Sequence, residues 1–283
     1  MIPAEFDYRR AASAEEAVGL LAGNDNAKLL AGGHSLLPMM KLRLAAPSLL
    51  VDIGGIEELR GIHAESDGLS IGSMTTHAEI AAAQEITGTY GALVEAAAAI
   101  GDVQVRNCGT IGGSLAHADP AADYAAAALV LDASVEVLGP HGPRSIVVDD
   151  LFAGLFTTSL ADAEIVTAVR FPTHQGVSVY EKFVQPASGF AIVGVAAQIV
   201  RDDNGACTLA HLAATGISDR PLRLSQAETA LQGTSLEAES VAAAAAVADA
   251  GIDTVLSDTF AADDYRRHLL GVLVARAVQR AAS

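Results

Sequence analysis

Residues 28–38 read KLLAGGHSLLP, and residues 106–124 read RNCGTIGGSLAHADPAADY. In the first stretch a short apolar run meets the glycine pair Gly32 and Gly33, and a helical pattern resumes after Ser35, with Pro38 tolerable in a first helical turn. The expected order is strand, glycine turn, helix. Adjacent glycines at such a junction let several backbone N–H groups converge on one anion, which makes the segment a candidate diphosphate cradle. It is not a Walker A loop, because no GK[ST] follows, nor a Rossmann fingerprint, because the third glycine is missing. A tight turn with a helix cap at Ser35 is the alternative. The second stretch repeats the theme: GTIGGS at 109–114 sets a glycine pair between hydroxyls, and Asp119 and Asp123 follow as acceptors for ligand hydroxyls. A long ligand with a diphosphate in its middle needs donors from both sides, which one isolated turn does not provide.

Outward from these stretches, SAEEAVGLLAGN from Ser13 carries a capping box at Ser13 and Glu16 and stops at Gly23, so a helix is expected. Residues 49–53 read as a buried strand, and the glycines at 54 and 55 mark a subdomain joint. A second capping box lies at Thr76 and Glu79, and a helix is expected from Tyr90 toward Ile100. SVEVLG and RSIVV flank a PHG turn as a hairpin. From Glu164 the pattern alternates through EIVTAVRFP, VSVYEKF, AIVGVAAQIV and CTLAHLAATG, which predicts one antiparallel sheet. Helices are expected over 222–231, 236–250 and 261–281, so the tail reads as an α+β unit.

Apolar residues make up 51% of the 283-residue chain and charged residues 18%, enough to offset the entropy of ordering, so the whole chain reads as globular. Seventeen Lys+Arg against 34 Asp+Glu leave a net charge of −17, which removes the footprint of a general nucleic-acid binder. Any phosphate must then be held locally. The opening MIPAEFDYRR has no apolar core of a secretory signal, and no alanine-rich run approaches the ~20 residues that span a bilayer. A cytoplasmic protein without a transmembrane segment is expected.

The two cysteines, Cys108 and Cys207, form no CxxC pair and cannot ligate an iron–sulfur cluster, which takes four thiolates. Redox chemistry here would need an organic cofactor. The eight histidines show neither HxxxH nor HExxH spacing and read as surface or turn residues, so no metal ligands or catalytic residues are assigned. No GxSxG elbow points to hydrolysis. Lysine occurs only at 28, 41 and 182; Lys182 lies in the alternating run VSVYEKF, where periodicity alone favours an outward-facing residue.

Together, the run AGGHSLLPMMKLRLAAPSLLVDI from Ala31 and the stretch 106–124 closely resemble the two FAD-binding motifs of the molybdenum hydroxylase flavoprotein subunits. The opening ten residues, GSMTTHAEI from Gly72 and YRRHLLGVLVARAVQRA from Tyr265 look like the carbon monoxide dehydrogenase branch. The resemblance covers essentially the whole chain. It implies an α+β architecture: a two-lobed FAD-binding domain of the vanillyl-alcohol-oxidase (PCMH) type, residues 1–54 and 55–172, then a C-terminal domain, 173–283, with a three-stranded antiparallel sheet and a helical bundle. It implies FAD as cofactor, with contacts from Lys28, Leu29, Ala31, Gly32, Gly33, His34, Ser35 and Leu36 in a first diphosphate turn. Gly109, Thr110, Ile111, Gly112, Gly113 and Ser114 would form a second, joined by Ile100, Asp123, Val166, Lys182 and Phe190.

The implied partners are a molybdenum-cofactor large subunit and a 2Fe–2S small subunit in a dimer of heterotrimers, with electrons leaving through FAD to a quinone or another acceptor. Such a complex would be cytoplasmic or associated with the inner face of the membrane. Two departures stand out: Ser114 replaces a common asparagine, and Phe190 stands where the carbon monoxide branch has a tyrosine, so stacking survives and a hydroxyl is lost. Relatives of this kind serve aldehyde, purine, nicotine and quinoline hydroxylases as well. Two readings of other classes stay open: a standalone FAD oxidase, for which no general base is visible, and a non-enzymatic nucleotide-binding protein.

Overall fold

The computed structural model describes residues 2–86 and 88–283. The N-terminal lobe is a three-stranded parallel sheet in which Leu49–Asp52 pairs with both Asp7–Arg10 and Ala27–Leu30. Parallel strands need a crossover, and the helix Ala14–Ala22 supplies the first. Ser13 caps it by accepting from the Glu16 N–H, while the Glu16 carboxylate reaches Ala12 N at 2.7 Å, one residue further back than a capping box requires. Ala14, Ala17 and Val18 face Leu49, Val51 and Ile53 in one core.

A middle lobe follows, built on a five-stranded antiparallel sheet. Its order from edge to edge is Ile62–Glu65, Gly68–Gly72, Ile165–Pro172, Ser134–Gly139 and Gly142–Val147. The expected PHG hairpin closes between Gly139 and Gly142, the latter at φ +101°. The first of the four alternating segments is thus not in the C-terminal sheet. Ile165–Pro172 is the central strand of the middle sheet, bulged between Val166 and Ala168, because both its edges find partners earlier in the chain.

The remaining three segments form a sheet in the order Val177–Val184, Ala191–Arg201, Cys207–Thr215, extended to four strands by Leu222–Arg223. The helix expected from 222 therefore begins at Ser225 (Ser225–Leu231), and the next shortens to Ala238–Ala246. Both faces of this sheet are buried. Val179, Val195, Ala197, Leu212 and Ala214 pack on Leu270, Leu273 and Val274 of the terminal helix Asp263–Ala282. Tyr180, Ala196 and Ala213, which are register partners across three strands, point the other way into the middle-lobe core.

Between these layers lies the helix Asp123–Val130, DYAAAALV, with every residue buried. Its four alanines let the middle lobe and the C-terminal sheet approach closely, and each fully buried Leu or Val contributes roughly 1.5–3 kcal/mol. Asp123, its first residue, sits where the three parts of the chain meet.

Candidate functional site

The two glycine-bearing stretches meet. A Cβ on Gly32 would lie 2.1 Å from the Cys108 carbonyl oxygen and 2.7 Å from Gly109 Cα, so only glycine permits the approach. Gly33 adopts φ +72° and turns the chain into the short helix Leu36–Lys41. Ser35 occupies the cap position but makes no side-chain cap bond. The backbone N–H groups of Gly32, Gly33, His34 and Ser35 donate to no described residue. Four consecutive unpaired donors on a cavity wall are the local positive field that a −17 chain needs to hold a phosphate.

The second stretch is different. Residues 111–117 form an α-helix, Ile111–His117, capped by Thr110, and the glycine pair lies inside it instead of in a turn. Its N–H groups are already engaged: Ile111 donates to Thr75 O, Gly112 to Ser73 O, Gly113 to Thr110 Oγ1 and Ser114 to Thr110 O. Gly112 is glycine because a Cβ would lie 2.5 Å from the Ser73 Cβ. Neither Ile111, which is buried in the middle-lobe core, nor Gly112 reaches the cavity, whereas Gly109, Thr110, Gly113 and Ser114 line it.

Asp123 lines the same cavity from below. Its carboxylate accepts from Tyr180 Oη at 2.6 Å and from Lys182 Nζ at 2.8 Å, and Lys182 also donates to the Ala99 carbonyl at 2.9 Å. Both side chains of the ion pair are buried, Asp123 5% and Lys182 7% exposed. Burial pushes the Asp123 carboxyl above the ordinary carboxylate value, opposed by the ammonium and the phenol. Lys182 is thus not the outward-facing residue that alternation predicts: its face of the strand packs on the middle lobe. It lies behind Asp123 and off the cavity wall. Val166, buried in the middle sheet, is off the wall too.

The C-terminal domain fixes the segment leading to Asp123. Thr215 Oγ1 donates to the Pro120 and Ala122 carbonyls and Gly216 N to Pro120 O at 2.7 Å. Gly194 leaves room for Tyr180, since a Cβ there would come within 2.2 Å of the phenol oxygen.

The cavity encloses about 620 Å³, within the roughly 300–1,000 Å³ usual for ligand pockets. Of the expected contacts, the whole first set from Lys28 to Leu36, with Ile100 and Phe190, lies on its wall. Phe190 is held by the hairpin loop 185–190, where Gln185 Oε1 accepts from Ala187 N and Ser188 N. Half-exposed Phe156, at φ +50°, forms a second aromatic rim beside His117, with ring centroids 5.2 Å apart. Sequence reading missed Phe156, Met39, Val105 and His117; nothing local marks them, because they come from separate loops and short helices. It also missed His77, the first residue of the helix His77–Ala82, which is 4% exposed and not a surface histidine. Burial, with the nearby charges of His34 and Arg106, pushes its imidazole down to about 4, so it is neutral at pH 7.

A family model described as the FAD binding domain in molybdopterin dehydrogenase matches residues 4–174, and one for the CO dehydrogenase flavoprotein C-terminal domain matches 178–281. The chain is 39% identical to the carbon monoxide dehydrogenase medium chain of Hydrogenophaga pseudoflava, covering 99% of this chain and 98% of that one. It is 36% identical to subunit alpha of the 6-hydroxypseudooxynicotine dehydrogenase complex of Paenarthrobacter nicotinovorans, covering 99% and 96%. Its fold superposes on that of the reconstituted CO dehydrogenase from Oligotropha carboxidovorans with a TM-score of 0.95, at 36% identity, over 100% of this chain and 99% of that one. With both halves matched and the likeness running end to end over a cavity suited to a phosphate-bearing ligand, the chain belongs to the FAD-binding medium subunits of the molybdenum hydroxylases, oxidoreductase components akin to that of CO dehydrogenase.

Proposed function

We propose that this chain is the electron-transfer component of a molybdenum hydroxylase, holding FAD in the cavity between its three parts and relaying electrons from a 2Fe–2S small subunit to a quinone or another acceptor. The observation that carries the reading is the run of unpaired N–H groups from Gly32 to Ser35 beside a cavity of about 620 Å³. Bound FAD supplies the redox chemistry, storing electron pairs between a one-electron donor and the final acceptor. The chain's own residues bind and orient it. The Gly32–Ser35 donors hold a phosphate, Asp119 and Asp123 accept from hydroxyl or N–H groups, and Phe156 and Phe190 shield the mouth of the cavity from water.

The partners are a large subunit carrying the molybdenum cofactor and a small subunit carrying the clusters, as a dimer of heterotrimers. Two cysteines in the whole chain leave the cluster ligands to another polypeptide. The substrate is oxidised on the large subunit. Relatives of similar identity are named for carbon monoxide, glyceraldehyde and a nicotine derivative, which accords with a shared flavin module serving different substrates. Of these, the carbon monoxide branch agrees with the terminal motif from Tyr265, while Phe190 departs from it. Among the described residues no helix is long and apolar enough to cross a membrane, and we place the complex in the cytoplasm or against the inner membrane face.

The test is to load the purified chain with FAD, remove the excess and record the visible spectrum beside Gly33→Asp and Ser114→Asp, which put a carboxylate into the cavity from either stretch. A stoichiometric flavin band, lost in both folded variants, is expected. In the complex co-expressed with large and small subunits, reducing the clusters should bleach the flavin. A folded wild type that takes no flavin alone or in the complex overturns the cofactor site, and clusters that reduce while the flavin stays oxidised overturn the relay.

A further inference from the structure

His77 is the buried titratable group on the cavity wall for which the proposed function has no use. Three local features position it. Thr76 caps its helix in a full capping box with Glu79. The His77 N–H donates to Gly109 O at 3.0 Å, next to the bridge between Thr76 and Thr110. Gly109 has no side chain, and a Cβ there would lie 2.6 Å from His77 Nε2. A side chain at Gly109 would press on Nε2; His77 lines the cavity there together with Gly109, which also meets Gly32.

The other ring nitrogen decides the proton. Nδ1 lies 3.2 Å from Tyr124 Oη, and among the described residues that histidine is the hydroxyl's sole hydrogen-bond partner. Tyr124 is fully buried, and its hydroxyl stays protonated because burial and the Asp123 charge push its pKa well above the ordinary value. A buried O–H without an acceptor is costly, so Tyr124 donates and the Nδ1 lone pair accepts. A neutral ring whose Nδ1 accepts carries its proton on Nε2. That Nε2–H donates to no described residue although the residue is only 4% exposed.

We infer that His77 is a further cofactor-binding residue, a neutral Nε2–H donor to a phosphate oxygen of FAD whose tautomer is set by Tyr124. The inference rests on the FAD reading above. A phosphate is the acceptor because His77 lines the same cavity as the unpaired N–H groups of Gly32–Ser35, with His34 and Arg106 close enough for their charges to act on the ring. A neutral donor suits this place: it adds a hydrogen bond without burying another charge.

Long-range nitrogen–proton NMR of the full chain, with and without FAD, together with FAD titrations, tests this. The proton is expected on Nε2 before FAD is added, and its resonance should move downfield on binding, together with a shift of the diphosphate phosphorus signals. His77→Leu should weaken FAD by about tenfold, the loss of one hydrogen bond to a charged acceptor. His77→Gln, whose amide reaches the same place, should restore most of it. Tyr124→Phe should keep the fold, release the proton to both nitrogens and weaken FAD by a smaller factor. A wild type that binds no FAD removes the parent reading and this contact with it. A wild type that binds FAD with the proton on Nδ1, or a folded His77→Leu that binds as tightly as wild type, removes this inference alone.

Discussion

Residues 31–35 and 109–114 each carry a glycine pair followed closely by a serine, yet the two stretches spend their glycines differently. In the first, Gly33 turns the backbone through φ +72° and leaves four N–H groups unpaired on the cavity wall. In the second, the pair lies inside a helix whose first N–H groups are all bonded within the protein, and Gly112 is small so that Ser73 can approach. One stretch offers backbone donors; the other offers side chains on a braced frame, Thr110, Ser114 and, further on, Asp119 and Asp123. A glycine pair is therefore not a binding motif by itself. What separates the two cases is where the neighbouring backbone hydrogen bonds go.

If the second stretch is braced from the C-terminal domain, its largest weakness is the buried pair beneath it. Lys182→Met leaves Asp123 uncompensated and should cost about 3–5 kcal/mol, read as a lower urea midpoint at unchanged slope. A variant as stable as wild type would break the idea that the C-terminal sheet holds this floor.

The next effect is a pH dependence centred on His77, which is bonded to the second stretch and lines the cavity with the first. Its folded value of about 4 lies below the ordinary 6.5, so between these values the unfolded chain binds a proton that the folded chain does not. Stability should be fully present above pH 6.5 and fall by about 3 kcal/mol as pH drops to 4. Denaturation curves across that range should flatten in His77→Gln; an equal slope in both would assign the acid loss to carboxylates instead.

The smallest effects sort the glycines. Gly112→Ala overpacks against Ser73 and should cost about 1–3 kcal/mol while the folded fraction keeps its affinity for FAD. Gly33→Ala forces an L-residue into the left-handed region at about 1–2 kcal/mol and should weaken FAD as well. Calorimetry beside flavin titration separates the two, and the same profile for both would erase the contrast.

Much of the fold was legible locally. The capping residues Ser13 and Thr76, the strand at 49–53, the PHG hairpin and the terminal helix follow from short-range periodicity and cap chemistry, and each stands close to its expected limits. Alternation alone groups the run 165–172 with the three strands after it, because it tells a strand from a helix but not which edges the strand will meet, and the run's partners lie in chain segments up to about a hundred residues away. Alternation alone turns Lys182 outward for the same reason: it assumes that one face is wet, and here the helix Asp123–Val130 dries it.

By itself the sequence determined the order of elements, the two glycine stretches, the absence of thiolates for a cluster and, through motifs spread along the chain, the family. These depend on interactions within a few residues or on composition, which survive without knowledge of packing. Only the tertiary structure decided which glycines leave donors free, that Lys182 stands behind Asp123, and that a buried histidine within hydrogen-bond reach of Tyr124 lines the same cavity. Each of these depends on desolvation and on partners distant in sequence, and a buried group's charge, tautomer and unpaired donors are set by its surroundings.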